Sequence, residues 1–202
     1  MHESSQGGTV NEIILASSSE WRATMLRSAG FRVRCIPSPA DENVFQSSDP
    51  VEQALGRAEL KAAAVFALEP EAMVLGADQV VWDGVDVFGK PLDAADHLAR
   101  LQAMRGRTHT LVTGYCVLGP DFLDRGTAET RLTMRADLSD EELAAYVASG
   151  EGSRCAGGYA IEGQGAWLFE RVRGDWNNII GLPLFDVISS LRRAGWRYGA
   201  SA

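Results

Sequence analysis

Apolar positions along this chain fall into two rhythms: short continuous or alternating runs, and longer stretches where they recur every three or four residues. The first run predicts a strand at about 12–17, followed by a helix at about 20–29 that Gly30 stops. "FRVRCIPS" predicts a second strand, ended by Pro37 and Pro39. In "DPVEQALGRAELKAAAVFAL", Val51, Leu55, Ala58, Ala62, Val65 and Phe66 form one apolar stripe and predict a helix. "AMVLGADQVVWDGVDVFGKP" predicts a strand, a tight turn at Asp83 and Gly84, a short return strand and a loop. "DAADHLARLQAMRG" predicts a third helix with Asp93 as its cap and Gly106 as its stop. "RTHTLVTGYCVLGP" and "GTAETRLTMRA" predict an antiparallel hairpin joined through "PDFLDR". "SDEELAAYVASG" predicts a helix on which Ser139 and Glu142 make a capping box. "GAWLFERV" then predicts a strand, and "GLPLFDVISSLRRAG" a last helix with Pro183 near its first turn. Helices and hairpins intermixed in this way predict an α/β fold with a mixed sheet.

Composition changes this picture little. The chain has 202 residues, 46% hydrophobic and 23% charged, enough to bury a core. The first eleven residues are expected to be a flexible leader, and 12–202 one domain. A formal charge of −8 disfavours nucleic acid and anionic membrane as partners, so any phosphate ligand needs a local cluster of cations. Cys35, Cys116 and Cys155 are odd in number and far apart, which fits free thiols in a reducing compartment. No apolar run approaches a membrane span, and the expectation is a cytoplasmic protein.

Candidate chemistry begins where the first strand meets its helix, in "ILASSSEWRATML". A helix N-terminus offers unpaired N–H groups to phosphate. Ser17, with Glu20 three residues on, equally fits a capping box. Asp78 stands among apolar neighbours in "MVLGADQVVW", where a carboxylate must be paired, protonated or bound to a cation. Gly76, two residues earlier, permits a bulge or the close approach of another group. Arg57 and Lys61 lie four apart on one helix face, a mildly repulsive pair that suits either a solvated surface or a nearby anion. Lys90 sits in a turn between Gly89 and Pro91. "CAGGYAIEGQG" frames Ile161 and Glu162 with glycines, as a ligand loop or a set of turns. His109 reads as a structural hydrogen-bonder, and Asp41 and Glu42 as turn residues or metal ligands.

Taken together and in order, these blocks resemble the Maf family of nucleoside triphosphate pyrophosphatases, from about Ile13 to Gly195. "LASSSEWRATMLRSAG" is similar to the family's LASxSPRRxxLL opening. "PADE", "RAELKA", "GADQVV", "GKPLD", "GRTHTLVTG", "CAGGYAIEGQGA" and "GDWNNIIGLPL" match its later blocks. The resemblance implies a Maf/ITPase-like fold of two lobes around a cleft, and hydrolysis of a nucleoside triphosphate to monophosphate and pyrophosphate with Mg2+ or Mn2+. It implies Asp78 as the proton acceptor for water; Ser17, Arg22, Lys61 and Lys90 on the phosphates; and Glu42, with Asp78, at the metal. A homodimer is the assembly considered.

Where the dTTP/UTP branch of that family has PRR, GADT and IQG, this chain carries Trp21, Gln79 and Glu162. Those three resemble the branch acting on 7-methyl-GTP. A carboxylate at Glu162 suits the N1–H and N2–H edge of guanine, and an indole at Trp21 suits a cationic methylated base. Trp21 also lies four residues from Met25, so the indole equally fits the helix's buried stripe. The expected substrate is therefore 7-methyl-GTP or a related modified nucleotide. The alternatives are dTTP and UTP, or a nucleotide-binding regulator of septum formation without significant turnover.

Overall fold

Seven strands join into one sheet across residues 12–198, the residues that the computed structural model describes. The leader expected over 1–11 lies outside the described residues. Glu12–Leu15 (β1) runs parallel between Arg32–Cys35 (β2) and the start of Met73–Trp82 (β3). The remaining pairings are antiparallel. Val87–Phe88 (β4) folds back on the end of β3, and Thr108–Gly119 (β5), Phe122–Met134 (β6) and Phe169–Arg173 (β7) complete the order β2-β1-β3-β5-β6-β7. The mixed sheet anticipated from the hydrophobic pattern is present.

Helices Glu20–Ser28 (α1) and Pro50–Phe66 (α2) cover opposite faces of the sheet. Side chains alternate across β3, so Leu75 and Ala77 pack with Ala23 and Leu26 of α1, while Val74 packs with Ala62 and Val65 of α2. β1 is thus flanked by crossovers on both faces. Its carboxyl end is the kind of switch point where open α/β sheets hold ligands. β1 pairs with β3 only as far as Leu75, and β4 joins the same edge only from Val81. Between them the edge of β3 around Asp78 has no strand beside it.

Ala94–Met104 (α3) and Asp140–Ala148 (α4) pack on the far half of the long strands, and Leu184–Arg193 (α6) on the near half. Two apolar clusters result on one face. One contains Leu75, Ala77, Val117 and Leu191; the other contains Val81, Leu111, Leu132 and Leu143. The two lobes are these clusters, and the residues separating them on β3 and β5 are the polar Gln79 and Thr113, paired across the strands.

Asp93 caps α3 and the Ser139–Glu142 box caps α4, both as the sequence predicts. Three local expectations change, and one short helix is added. Ser19, not Ser17, is the N-cap of α1, and its hydroxyl accepts from the Arg22 N–H; Ser17 instead accepts from the Ser19 N–H. "FLDR" belongs to β6 and the turn shrinks to Pro120 and Asp121, because twelve aligned pairs extend to Gly119 and Phe122. Gln164–Leu168 is a 3-10 turn, so the following strand starts only at Phe169. "WNNII" is a short helix, Trp176–Ile180 (α5), capped by Asp175.

Candidate active site

Helix α2 sits unusually low on the sheet. A Cβ on Gly76 would run into the Ala58 carbonyl, and one on Gly114 into the Ala54 carbonyl. Of the two roles Gly76 offered, the structure uses close approach. Asp49 caps α2 and Pro50 opens it, which fixes its start above β3. The consequence is chemical: Lys61, a buried residue of α2, reaches Asp78 on β3.

Lys61 Nζ lies 2.7 Å from Asp78 Oδ1 and 3.0 Å from Glu42 Oε2. The second carboxylate is held there by its loop. Phe45 lies over Gly56 of α2, and Arg57 Nε donates to the Phe45 carbonyl at 3.0 Å. Arg57 Nη1 comes within 3.9 Å of Asp78 Oδ2, an ion pair but too long for a hydrogen bond. Asp78 Oδ2 is therefore buried with no hydrogen-bond partner. An orphaned carboxylate oxygen in this setting is costly unless something else binds it.

Arg22 approaches from α1. Its Nη1 donates to the Ala77 carbonyl at 2.9 Å, on the open edge of β3, and its Nε donates to the Gly181 carbonyl at 2.7 Å. Burial pushes its pKa down, while Asp78 and Glu42 pull it up. Arg22, Arg57 and Lys61 outnumber Asp78 and Glu42, so the cluster carries one excess positive charge in a protein of formal charge −8. That is the local excess of cations an anion needs in a protein of this charge.

Gln79 points to the opposite face of β3 from Asp78. Its Nε2 donates to Thr113 Oγ1 at 2.9 Å and to the Asn178 carbonyl of α5 at 2.6 Å. Trp21 is 55% exposed at the start of α1, so the indole is not part of that helix's buried stripe. Lys90 and Glu162 are exposed on the far lobe. Both lie near enough to Cys155 to act on its thiol: burial raises the pKa, Glu162 raises it further and Lys90 opposes this. The Gly89 carbonyl beside Lys90 accepts from the Gly157 N–H, which pins the lysine turn to the glycine loop. Asp78, Lys61, Glu42 and Arg22 thus come together with Arg57, Ser17 lies in the adjoining turn, and Lys90 and Glu162 form a separate group.

The carboxylates also bear on a divalent cation. Asp78 Oδ2 is free, Glu42 shares its ammonium, and both are the hard oxygen donors such ions prefer. Among the described residues no three His, Cys, Asp or Glu gather. A cation here fits as one held by Asp78 and Glu42, with phosphate and water completing its shell, as Mg2+ commonly is.

A family model described as Maf-like protein matches residues 12–194. The chain belongs to the Maf family. A dTTP/UTP pyrophosphatase of Deinococcus radiodurans is 42% identical to this Maf protein, over 93% of this chain and 95% of its own. A nucleoside triphosphate pyrophosphatase of Streptomyces avermitilis is 40% identical over 91% and 90% of the two chains. Among solved structures, the Staphylococcus aureus Ham1 protein matches 92% of this chain and 100% of its own with a TM-score of 0.52. At 12% identity that likeness concerns the fold alone.

Sequence reasoning left Arg57 out of the site, although its spacing from Lys61 was the signal. It also passed over Thr113 and Asn178. Asp175-x-Asn is a helix-cap pattern, but nothing local tells that α5 lands on Gln79.

Proposed function

We propose that this Maf protein hydrolyses the α–β phosphoanhydride of dTTP and UTP, releasing pyrophosphate. The observation that carries the hydrolytic reading is Asp78 Oδ2: a buried carboxylate oxygen with no hydrogen-bond partner, inside a cluster of three cations. Lys61 holds the other oxygen, so Oδ1 is fixed and Oδ2 is the atom left to take a proton from water. Arg57 Nη1 stands 3.9 Å from Oδ2, an opposite charge beside the atom that would face the water. Phosphate oxygens entering the cluster meet Lys61, Arg57 and the third guanidinium nitrogen of Arg22, whose other two are engaged with carbonyls. The first turn of α1, past the Ser19 cap, adds main-chain N–H groups. Lys90, in the separate group with Glu162, is assigned to the far end of the polyphosphate. A divalent cation held by Asp78 and Glu42 would supply charge neutralisation on the phosphate oxygens. Seating the α-phosphorus beside Oδ2 gives water a short path in line with the pyrophosphate leaving group.

The choice of dTTP and UTP is supported by relatives bearing that name, the Deinococcus protein among them. This replaces 7-methyl-GTP as the first reading. A second reading keeps 7-methyl-GTP, and what favours it is the exposure of the Trp21 indole and of Glu162. Pyrophosphate release with Mg2+ or Mn2+ across UTP, dTTP, CTP, GTP, ATP and 7-methyl-GTP tests both. The expected order places UTP and dTTP first. Asp78→Asn is expected to lower turnover at least ~10³-fold while nucleotide affinity changes a few-fold. Turnover by Asp78→Asn at the wild-type rate would remove the assigned role of Asp78.

A further inference from the structure

Both amide protons of Gln79 are engaged. One goes to Thr113 Oγ1 at 2.9 Å and the other to the main-chain oxygen of Asn178 at 2.6 Å. The Asn178 oxygen is a carbonyl that only accepts, so the atom facing it is the amide nitrogen and the amide cannot be flipped. That carbonyl also accepts from the Gly181 N–H, in the last turn of α5. α5 is itself anchored: Asn178 Nδ2 donates to Thr130 Oγ1 at 3.1 Å and to the Ala128 carbonyl at 3.3 Å, and Thr130 Oγ1 donates to the Asp175 carbonyl. Thr113 and Asn178 are both fully buried. Gln79 is half-buried, and its Oε1 accepts nothing among the described residues and is not among the buried unpaired atoms. The free end of this side chain is therefore a solvent-reachable acceptor, aimed from the polar seam between the lobes.

We propose that Thr113 is a specificity-positioning residue, which acts through Gln79 by holding its amide so that only the carbonyl oxygen faces the base. Such an oxygen takes a base that brings a ring N–H. Uracil and thymine bring N3–H, and guanine brings N1–H, whereas the N3 of cytosine and the N1 of adenine are bare acceptors that face it lone pair to lone pair. This rests on the nucleotide binding at the Asp78 cluster, beside the open edge of β3, as proposed above. It adds that discrimination against cytosine depends on a buried hydroxyl that touches no substrate.

Calorimetric binding of non-hydrolysable α,β-imido analogues of UTP and CTP, to wild type, Thr113→Val, Thr113→Ala and Thr113→Ser, tests it. The wild-type protein is expected to bind the UTP analogue at least tenfold tighter than the CTP analogue. Thr113→Val and Thr113→Ala free one Gln79 proton and are expected to cut that ratio at least fivefold; Thr113→Ser restores it. In parallel, the Gln79 side-chain amide protons are followed by NMR hydrogen exchange. Two slowly exchanging protons are expected in wild type, and one of them becomes fast in Thr113→Val. An unchanged affinity ratio in both hydroxyl-free variants, with the UTP analogue still bound, overturns the proposal and leaves the nucleotide site standing. Binding of neither analogue by the wild-type protein overturns both.

Discussion

Lys61 is the residue on which the charges of the site converge. A buried ammonium between two carboxylates is stable only while both remain, and removing it would leave Asp78 and Glu42 with like charges and one cation fewer. Lys61→Met is expected to destabilise the fold by about 3 kcal/mol, as breaking a buried pair commonly does. Adding Asp78→Asn to that variant removes the charge on the carboxylate whose Oδ1 has lost its hydrogen-bonded ammonium, so the double variant should recover more than half of the loss without recovering turnover. Denaturant unfolding of the four proteins measures the coupling, and strictly additive losses would count against a shared cluster. Much of this was legible in the chain. A carboxylate in an apolar strand needs a partner, so Asp78 announced an unmet requirement, while Arg57 and Lys61, one helical turn apart, fitted a solvated surface as well as a nearby anion. Gln79 announced none, because its partners lie 34 and 99 residues away and depend on strand register and on the landing point of α5.

At the scale of elements, the depth of α2 on the sheet decides whether Lys61 meets Asp78. Gly76 and Gly114 set that depth, since any side chain there would strike the helix backbone. Gly76→Ala is expected to lift α2, cost about 1–3 kcal/mol of stability and lower turnover more than it lowers nucleotide binding. Near-wild-type turnover in that variant would show that the helix height is not what aligns the pair. The long helices and strands were readable because their patterns run for ten residues or more, an apolar stripe in α2 and a nearly continuous buried run in β5. α5 spans only Trp176–Ile180 and has no stripe to read. The tight turn between β5 and β6 was hidden because "FLDR" lacks the apolar alternation that its pairing with β5 supplies from outside.

On one face of its sheet the molecule divides its apolar core in two and keeps polar groups along the seam between. His109 belongs to the far core, where it shares a 2.6 Å hydrogen bond with Tyr159 and is 2% exposed. This is the structural role its position suggested. Burial lowers its pKa from 6.5 to about 4. The unfolded chain therefore binds more protons than the folded one between those values, and stability falls as pH drops through that window. The loss reaches about 3 kcal/mol once pH is below both values. Denaturant unfolding at pH 7.5 and 4.5 should show the fall in wild type and a smaller one in His109→Gln; identical slopes would assign the acid sensitivity to other groups.

In the proposed mechanism, water activated at Asp78 attacks the α-phosphorus. Hydrolysis of UTP in 18O-labelled water, with the products separated and weighed by mass spectrometry, tests it most directly. The account predicts one labelled oxygen in UMP and none in pyrophosphate. Label in the pyrophosphate, or inorganic phosphate in place of it, would contradict the assigned chemistry.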